Sequence, residues 1–434
     1  MGRCSSGYPF DPPGRDNCKQ GSCGVSRILQ INTFPTLQPR HGGQRRAHQI
    51  GRILEHAGHQ VRRVAAYTFS GYGWPPTEPA IDLDRFPAPQ APTTWLYDGV
   101  RAMEGDQEAS AAFEALCDAA APELILVEEV WLWPVVRRLA MVKSGRVPII
   151  YSSYNIEAPQ FRRLLAALSH ERASALAEGL SALEADIART AHACCAVTED
   201  DASALREFGA RHVVVAPNGV ERRSRAHLMG ALPGALNPDQ SYVLYVASAH
   251  RPNASGIPEL FMAMLEALRP LERLVVAGGV CHLLGEWLRG GGPAFLSRER
   301  MVLLGDVTEL CLDGLIANAA GIVLPVREGG GSNLKTAEAL YSGLPLVATT
   351  VAMRGYETFR NSDGVVMADD CPSFAAGMRQ VFEGRLARRV PATALDSLLW
   401  ESTLVPIVRL VDKTMAERTA SDPATAKSPT VAID

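Results

Sequence analysis

The chain has 434 residues, with 43 Lys and Arg against 47 Asp and Glu, a formal net charge of −4. That length accommodates two or three domains with sizeable cores, and 47% hydrophobic with 21% charged residues is the make-up of a globular chain. The slightly acidic balance gives no global basis for nucleic-acid binding. No apolar run reaches the ~20 residues that a membrane span needs.

Residues 1–26 are rich in Gly, Pro, Ser, Asp and Cys and read as a disordered N-terminal tail, either native or an overlong gene start. Their basic residues are not followed by an apolar stretch, so no signal peptide is expected and the chain reads as cytoplasmic. Nine cysteines are scattered without a repeated spacing, which suits a reducing compartment better than a disulfide framework. Cys4, Cys18 and Cys23 match no zinc template, and the adjacent Cys194 and Cys195 read as small buried hydrophobes.

The ordered part opens with Arg27–Thr33, a short apolar run ending in polar residues, as a first buried parallel strand does. A loop carrying Pro35, Pro39, Gly42 and Gly43 follows, then a helical pattern from Gln44 to Ala57 closed by Gly58, then a strand over Gln60–Ala66. Strand, glycine loop, helix and strand make a βαβ unit. Further strands are expected at Glu123–Glu128, Val147–Ser152, Ala193–Thr198 and Val213–Ala216, with a long helical stretch from Pro159 to Thr190. Glu199, Asp200 and Asp201 open another helix, where acidic residues suit the macrodipole.

A stretch rich in Gly, Pro, Asn and Asp at about 229–240 places a domain boundary there, between a first domain at 27–228 and a second at 238–390. The second half restarts with Tyr242–Ala247 and continues with Arg273–Ala277, Met301–Leu304, Gly321–Pro325 and Leu344–Ala348. Two successive α/β halves predict two Rossmann-like, doubly wound domains facing a cleft. A helix at about 391–415 is expected to pack back across them, and 416–434 reads as a disordered tail.

The chemistry concentrates in Glu328-Gly-Gly-Gly-Ser-Asn-Leu-Lys335. A strand ends near Pro325, and Gly329, Gly330 and Gly331 let the backbone turn and approach a ligand. Ser332 or Asn333 is placed to cap the helix that starts there, whose amides and dipole suit a diphosphate. Lys335 in the first turn opposes the dipole, which makes sense beside a phosphate. Glu338 shares its helix face, while Leu334, Ala337 and Tyr341 form the packing face. Taken alone, the loop reads equally as a tight turn with a surface Lys–Glu pair.

The stretch Gly329–Thr349 resembles the donor-site signature of glycosyltransferase family 4 and its group 1 relatives, of the two-domain GT-B fold. Gly42-Gly43-Gln44, Val197–Asp200, Pro217–Val220, Val246–Asn253 and Leu303–Val307 match further pieces in order. The resemblance, over roughly 27–390, implies transfer from a nucleoside diphosphate sugar to a glycan, lipid-linked glycan or small-molecule hydroxyl, with retained configuration. It implies no metal or other cofactor, and the sequence shows no Asp-x-Asp or His cluster near the donor motif.

By the same resemblance, Glu338 holds the nucleotide ribose as the second Glu of a Glu-x7-Glu motif. The first position is Gly330, and Glu328, two residues earlier, is the alternative for the sugar contact. His250 and Arg251 neutralise the diphosphate, with Lys335 supplying a second charge where relatives carry one and this chain has Ser255 and Gly256. Gly42 and Gly43 approach donor and acceptor; the alternative is a plain strand–helix turn. Arg40, His41, Arg45 and Arg46 make that region basic, which suits an anionic or membrane-borne acceptor or, more simply, a solvated helix face.

Tyr151–Glu157 resembles the family's His-Asn-x-Glu segment with Tyr154 in place of His, leaving Asn155 and Glu157 as cleft groups. Asp200 reads equally as a helix cap, and Asn218-Gly219 as a turn. Arg162 and Arg163 offer a basic face for peripheral contact with the membrane, or an ordinary helix surface. A nucleotide-sugar epimerase and a non-catalytic nucleotide-sugar-binding protein are the competing functions. Base, sugar, acceptor and oligomeric state stay open.

Overall fold

The computed structural model describes residues 25–421, apart from 74, 87–93, 169–171, 223–233, 235, 238, 255–256, 291–299 and 387–394. Residues 229–233, 235 and 238 of the expected linker and most of both tails therefore lie outside the described residues, as do Cys4, Cys18 and Cys23.

Two all-parallel sheets organise the chain. The first holds β1 (Arg27–Asn32), β2 (Gln60–Tyr67), β3 (Ala80–Asp82), β4 (Leu124–Glu128), β5 (Ile149–Ser152), β6 (Ala193–Ala196) and β7 (Val213–Val215), in the order 3-2-1-4-5-6-7. The second holds β8 (Ser241–Val246), β9 (Glu272–Ala277), β10 (Met301–Leu303), β11 (Gly321–Leu324), β12 (Leu346–Ala348) and β13 (Val365–Met367), in the order 10-9-8-11-12-13. Each order reverses direction once, at β1/β4 and at β8/β11, and ligands of such sheets bind outside the carboxyl ends of the strands at that reversal. The fold is α/β with two Rossmann-like domains.

The central strands are buried on both faces, which is why they read as continuous apolar runs. Phe113, Trp133, Phe161 and Leu180 are among the side chains covering one face of the first sheet. The other face packs Ile28, Leu126 and Ile150 against Ile50 and Leu54 of the helix Gly42–His56, and against Trp400, Leu404, Ile407 and Val411 from the end of the chain.

That last contribution comes from the helices Trp400–Thr403 and Val405–Ser421. The chain thus returns to its first half after completing the second. The expected disordered segment at 416–434 begins too early: helix continues through Ser421, with Met415 buried in the same cluster and the Arg418 guanidinium donating to the Glu123 carbonyl at 2.6 Å. The expected helical stretch 159–190 is two helices, Glu157–Ala167 and Ala173–Thr190. The three-residue edge strands β3 and β13 were not anticipated.

Candidate active site at the cleft

The loop after β11 carries the three glycines across to the first half. A Cβ on Gly330 would collide with the Gln160 side chain, and Gly331 adopts φ 62° against the Tyr154 carbonyl and Val197. Only glycine combines that left-handed backbone with so close an approach. Leu334, at the start of the following helix, lies 4.0 Å from where a Cβ on Gly42 would stand. The glycines of both halves therefore mark the line where the domains meet.

The helix Leu334–Ser342 starts without a side-chain cap, which corrects the expectation for Ser332 and Asn333. Asn333 occupies the cap position, but its amide donates to the Val351 and Ala352 carbonyls at 3.3 and 3.1 Å. Ser332 is engaged by Asn218, whose backbone N–H donates to the Ser332 hydroxyl and whose side-chain amide donates to its carbonyl, both at 3.0 Å. The helix start keeps amides and dipole for another partner.

Two cations converge on this loop. The Lys335 ammonium donates to Asn253 Oδ1 at 2.8 Å, and Asn253 is fixed in turn by donating to the Ser248 carbonyl at 2.9 Å. Burial lowers the Lys335 pKa to about 8; Glu338 opposes that shift and Arg354 adds to it. Arg354, which sequence reading missed, donates to the Gly329 carbonyl. Its Nε and Nη2 are buried without a hydrogen-bond partner. Desolvation lowers its pKa, while Asp201 and Asp200 across the cleft partly offset this.

The other second-half residues are less concentrated. Glu328 is exposed beside Arg327, which pairs with Glu259. Glu338 lies on the cleft side of its helix and forms a salt bridge with Arg45 of the first half at 3.4 Å. His250 lies at the open edge, where loss of hydration and then the Lys335 ammonium lower its pKa. Arg251 opens the short turn Arg251–Asn253; its side chain is outside the described residues.

The first half supplies a different chemistry. Arg46 is not on a solvated face: it is buried, donates to Asn218 Oδ1 at 3.3 Å and lies 5.5 Å over the Tyr154 ring. His41 caps its helix in a reciprocal box with Gln44, and burial lowers its pKa to about 4. Neutral His41 meets the Tyr72 hydroxyl at 3.2 Å. Tyr154, standing where the resemblance places a histidine, has a buried hydroxyl beside the Glu128 carboxylate. Asn155 donates to Glu157 at 2.9 Å.

Glu129, just past β4, was also missed. It is one of two described non-glycine residues at positive φ, 63°, a conformation costing about 1–3 kcal/mol that functional sites tolerate. Thr33 donates to its carboxylate at 2.8 Å. Burial first, and then the neighbouring Glu128, push its pKa above the ordinary carboxylate range. Burial also raises Glu157, with Glu129 and Glu184 adding to the effect. Sequence reading had a signal here in two consecutive glutamates ending an apolar strand.

Asp200 is not the helix cap; Thr198 is, through its hydroxyl accepting from Asp201 N–H at 3.1 Å. Asn218 is more than a turn residue, since its carbonyl also accepts from the Tyr356 hydroxyl at 2.8 Å. No cluster of three or more His, Cys, Asp or Glu suited to a metal occurs among the described residues. No described helix is long and apolar enough to cross a membrane.

The comparisons with known proteins agree with this geometry. Residues 41–219 match the family model "Glycosyl transferase 4-like domain", and residues 240–383 match "Glycosyl transferases group 1". A search of curated proteins returned no match. Among solved structures, sucrose-phosphate synthase from Thermosynechococcus elongatus aligns with a TM-score of 0.67 at 17% identity, covering 90% of this chain and 100% of that one. Anabaena HepE in complex with UDP and glucose gives 0.55 at 15%, covering 92% and 100%. The α,α-trehalose 6-phosphate synthase of Burkholderia multivorans gives 0.56 at 15%, covering 94% and 100%. With both halves matched in order and both sheets of the expected topology, the chain belongs to the GT-B glycosyltransferases that join a glycosyl transferase 4-like domain to a group 1 domain.

Proposed function

We propose that this glycosyltransferase moves a hexosyl or related unit from a nucleoside diphosphate sugar to a hydroxyl acceptor. The observation carrying this reading is the meeting of an uncapped helix start, Lys335 and a guanidinium with unpartnered buried donors at one glycine loop. Preorganised positive charge stabilises a departing diphosphate without reorganisation during the reaction. Glu338 would exchange Arg45 for ribose hydroxyls, and Glu328 or the loop amides would meet the sugar. His250 and Arg251 would add positive character at the cleft edge.

The acceptor would lie against the ends of β1, β4 and β5, where Glu129, Asn155 and Glu157 offer hydrogen-bond acceptors beside Tyr72 and Tyr154. Retention is the outcome implied by the resemblance to family 4, and a metal-free reaction belongs to the same proposal. The UDP and glucose named with HepE, and the ADP and acarbose named with the Arabidopsis thaliana starch synthase IV catalytic domain, support this class of donor and acceptor.

The test is turnover of a nucleotide-sugar panel by the full chain, with NMR of the product anomer. Lys335→Ala and Glu338→Ala are expected to lower kcat/KM at least tenfold each. Unchanged turnover in both overturns the site assignment, and an inverted anomer overturns retention. Sugar interconversion without acceptor would mark an epimerase.

A further inference from the structure

A second concavity lies away from the cleft, at the opposite ends of the first sheet's strands. It is formed where the helix Ala173–Thr190 ends, where β6 and β7 begin, and where the returning helix Val405–Ser421 crosses them. Its volume is about 210 Å³. Arg189, His192, Arg211, His212 and Lys413 line it, with Glu417 the one acidic wall residue.

Two of the three cations are not spent in ion pairs among the described residues. Arg189 and Arg211 make no ion pair with another described residue, and Glu417 is drawn to Lys413 at 3.7 Å on their common helix. Counting Arg189, Arg211 and Lys413 against Glu417, the wall carries two net positive charges. Gathering like charges is unfavourable unless a counter-ion answers them. His192 adds a directed donor: its Nδ1 accepts from the Ile149 N–H at 3.1 Å, so the neutral ring carries its proton on Nε2. Burial and then the nearby Arg211 hold its pKa below the usual value.

We propose that this pocket is a binding site for a small phosphate monoester, separate from the cleft. The net charge answers a phosphate carrying about −1.5 to −2 near neutral pH, and guanidinium pairs suit its oxygens. The small volume and apolar floor of Ala191, Ala193 and Leu410 fit a phosphate with a compact organic group, and no Phe, Tyr or Trp lines the wall as a platform for a nucleobase. One wall belongs to the first half and the other to the returning helix, so the ligand fastens that helix onto β6 and β7. Binding there would couple the level of such a ligand to the seating of that helix, through a site separate from the cleft.

Inorganic phosphate and glucose 6-phosphate, titrated into the full chain at constant ionic strength, test this by thermal shift and by NMR of the His192 ring. Both are expected to raise Tm and the His192 pKa. Arg189→Gln and Arg211→Gln should each weaken the response at least tenfold, and Glu417→Gln should strengthen it. Lys335→Ala, in the cleft, should leave it intact. All of these side chains except Lys335 are exposed, so the variants retain the fold, as circular dichroism would show. The proposal fails if the two arginine variants respond as the parent does, or if Lys335→Ala abolishes the response. It fails equally if chloride reproduces it, an adventitious ion only, or if anionic vesicles are bound while neither phosphate has an effect.

Discussion

The two walls of the cleft are built on the same topology yet carry opposite chemistry. At the end of β11 the second half presents a glycine loop, an open helix start, Lys335 and Arg354. At the ends of β4 and β5 the first half presents Glu128, Glu129 and Glu157, with pKa values raised by burial. A parallel sheet delivers loops to one edge and does not dictate their charge. The contrast teaches that one fold can set a cationic loop against an acidic wall; in the function proposed above, the first would meet a departing anion and the second the acceptor hydroxyls. Arg354 opposite Asp201, and Arg45 opposite Glu338, bring the two fields together as the walls meet.

The strongest way to break this contrast is Gly331→Val. At φ 62°, with the Tyr154 carbonyl in the way, a branched side chain would force the loop off the first half. A loss of at least about a hundredfold in kcat/KM is expected, following the cost of misplacing reacting groups by about 1 Å. A variant with near-parental kinetics would show that the loop's approach to the first half is incidental.

Lys335→Met comes next, with donor affinity reduced about tenfold to a hundredfold, as for a charge-assisted hydrogen bond worth about 1.5–3 kcal/mol. The sign with pH follows from the lowered pKa of about 8. The free protein loses the ammonium as pH rises through that value, so the donor Kd should worsen from pH 8 upward. Calorimetry should find this limb in the parent and not in Lys335→Met.

On the acidic wall, Glu184 sharpens the comparison through stability. It accepts from the Glu157 and Ala158 N–H groups at 2.6 and 3.2 Å, yet burial raises its pKa to about 7. A pKa raised on folding gives stability that is complete below the unfolded value, near 4.5, and is lost as pH rises through 7. Thermal melts between pH 5 and 8 should therefore fall less steeply for Glu184→Gln. Equal slopes would remove Glu184 from the account.

Arg45→Ala should have the smallest effect. Its bridge to Glu338 is partly exposed, and such pairs contribute about 0–1 kcal/mol. A change of less than about fivefold in donor Kd is expected. A tightening would show that Arg45 competes with the ribose.

Much of the fold was legible because buried parallel strands announce themselves as apolar runs, as Leu124–Val127 and Val243–Tyr245 do. The close approach of the glycine loop to the first half was legible, because consecutive glycines permit a left-handed turn and tight backbone contact. Arg354 and Glu129 were not. Arg354 reaches Gly329 from twenty-five residues away in sequence, and no local spacing encodes that. Glu129 matters through its backbone conformation and burial, which its neighbours in sequence do not determine. Arg46 looked like a surface cation because its helix carries several, and only the packing of Asn218 and Tyr154 shows it turned inward.

The return of the chain to its first half sets the unit of inheritance. Residues 27–222 do not enclose their own core, because Trp400, Leu404, Ile407 and Val411 cover Ile28, Leu126 and Ile150. A fragment cut before the second sheet would leave an apolar face open to water and to other chains. Recombination between relatives that exchanged halves at the linker alone would separate that face from its cover. A chimera that keeps its fold must exchange the second sheet as an insertion and leave the last two helices with the first half.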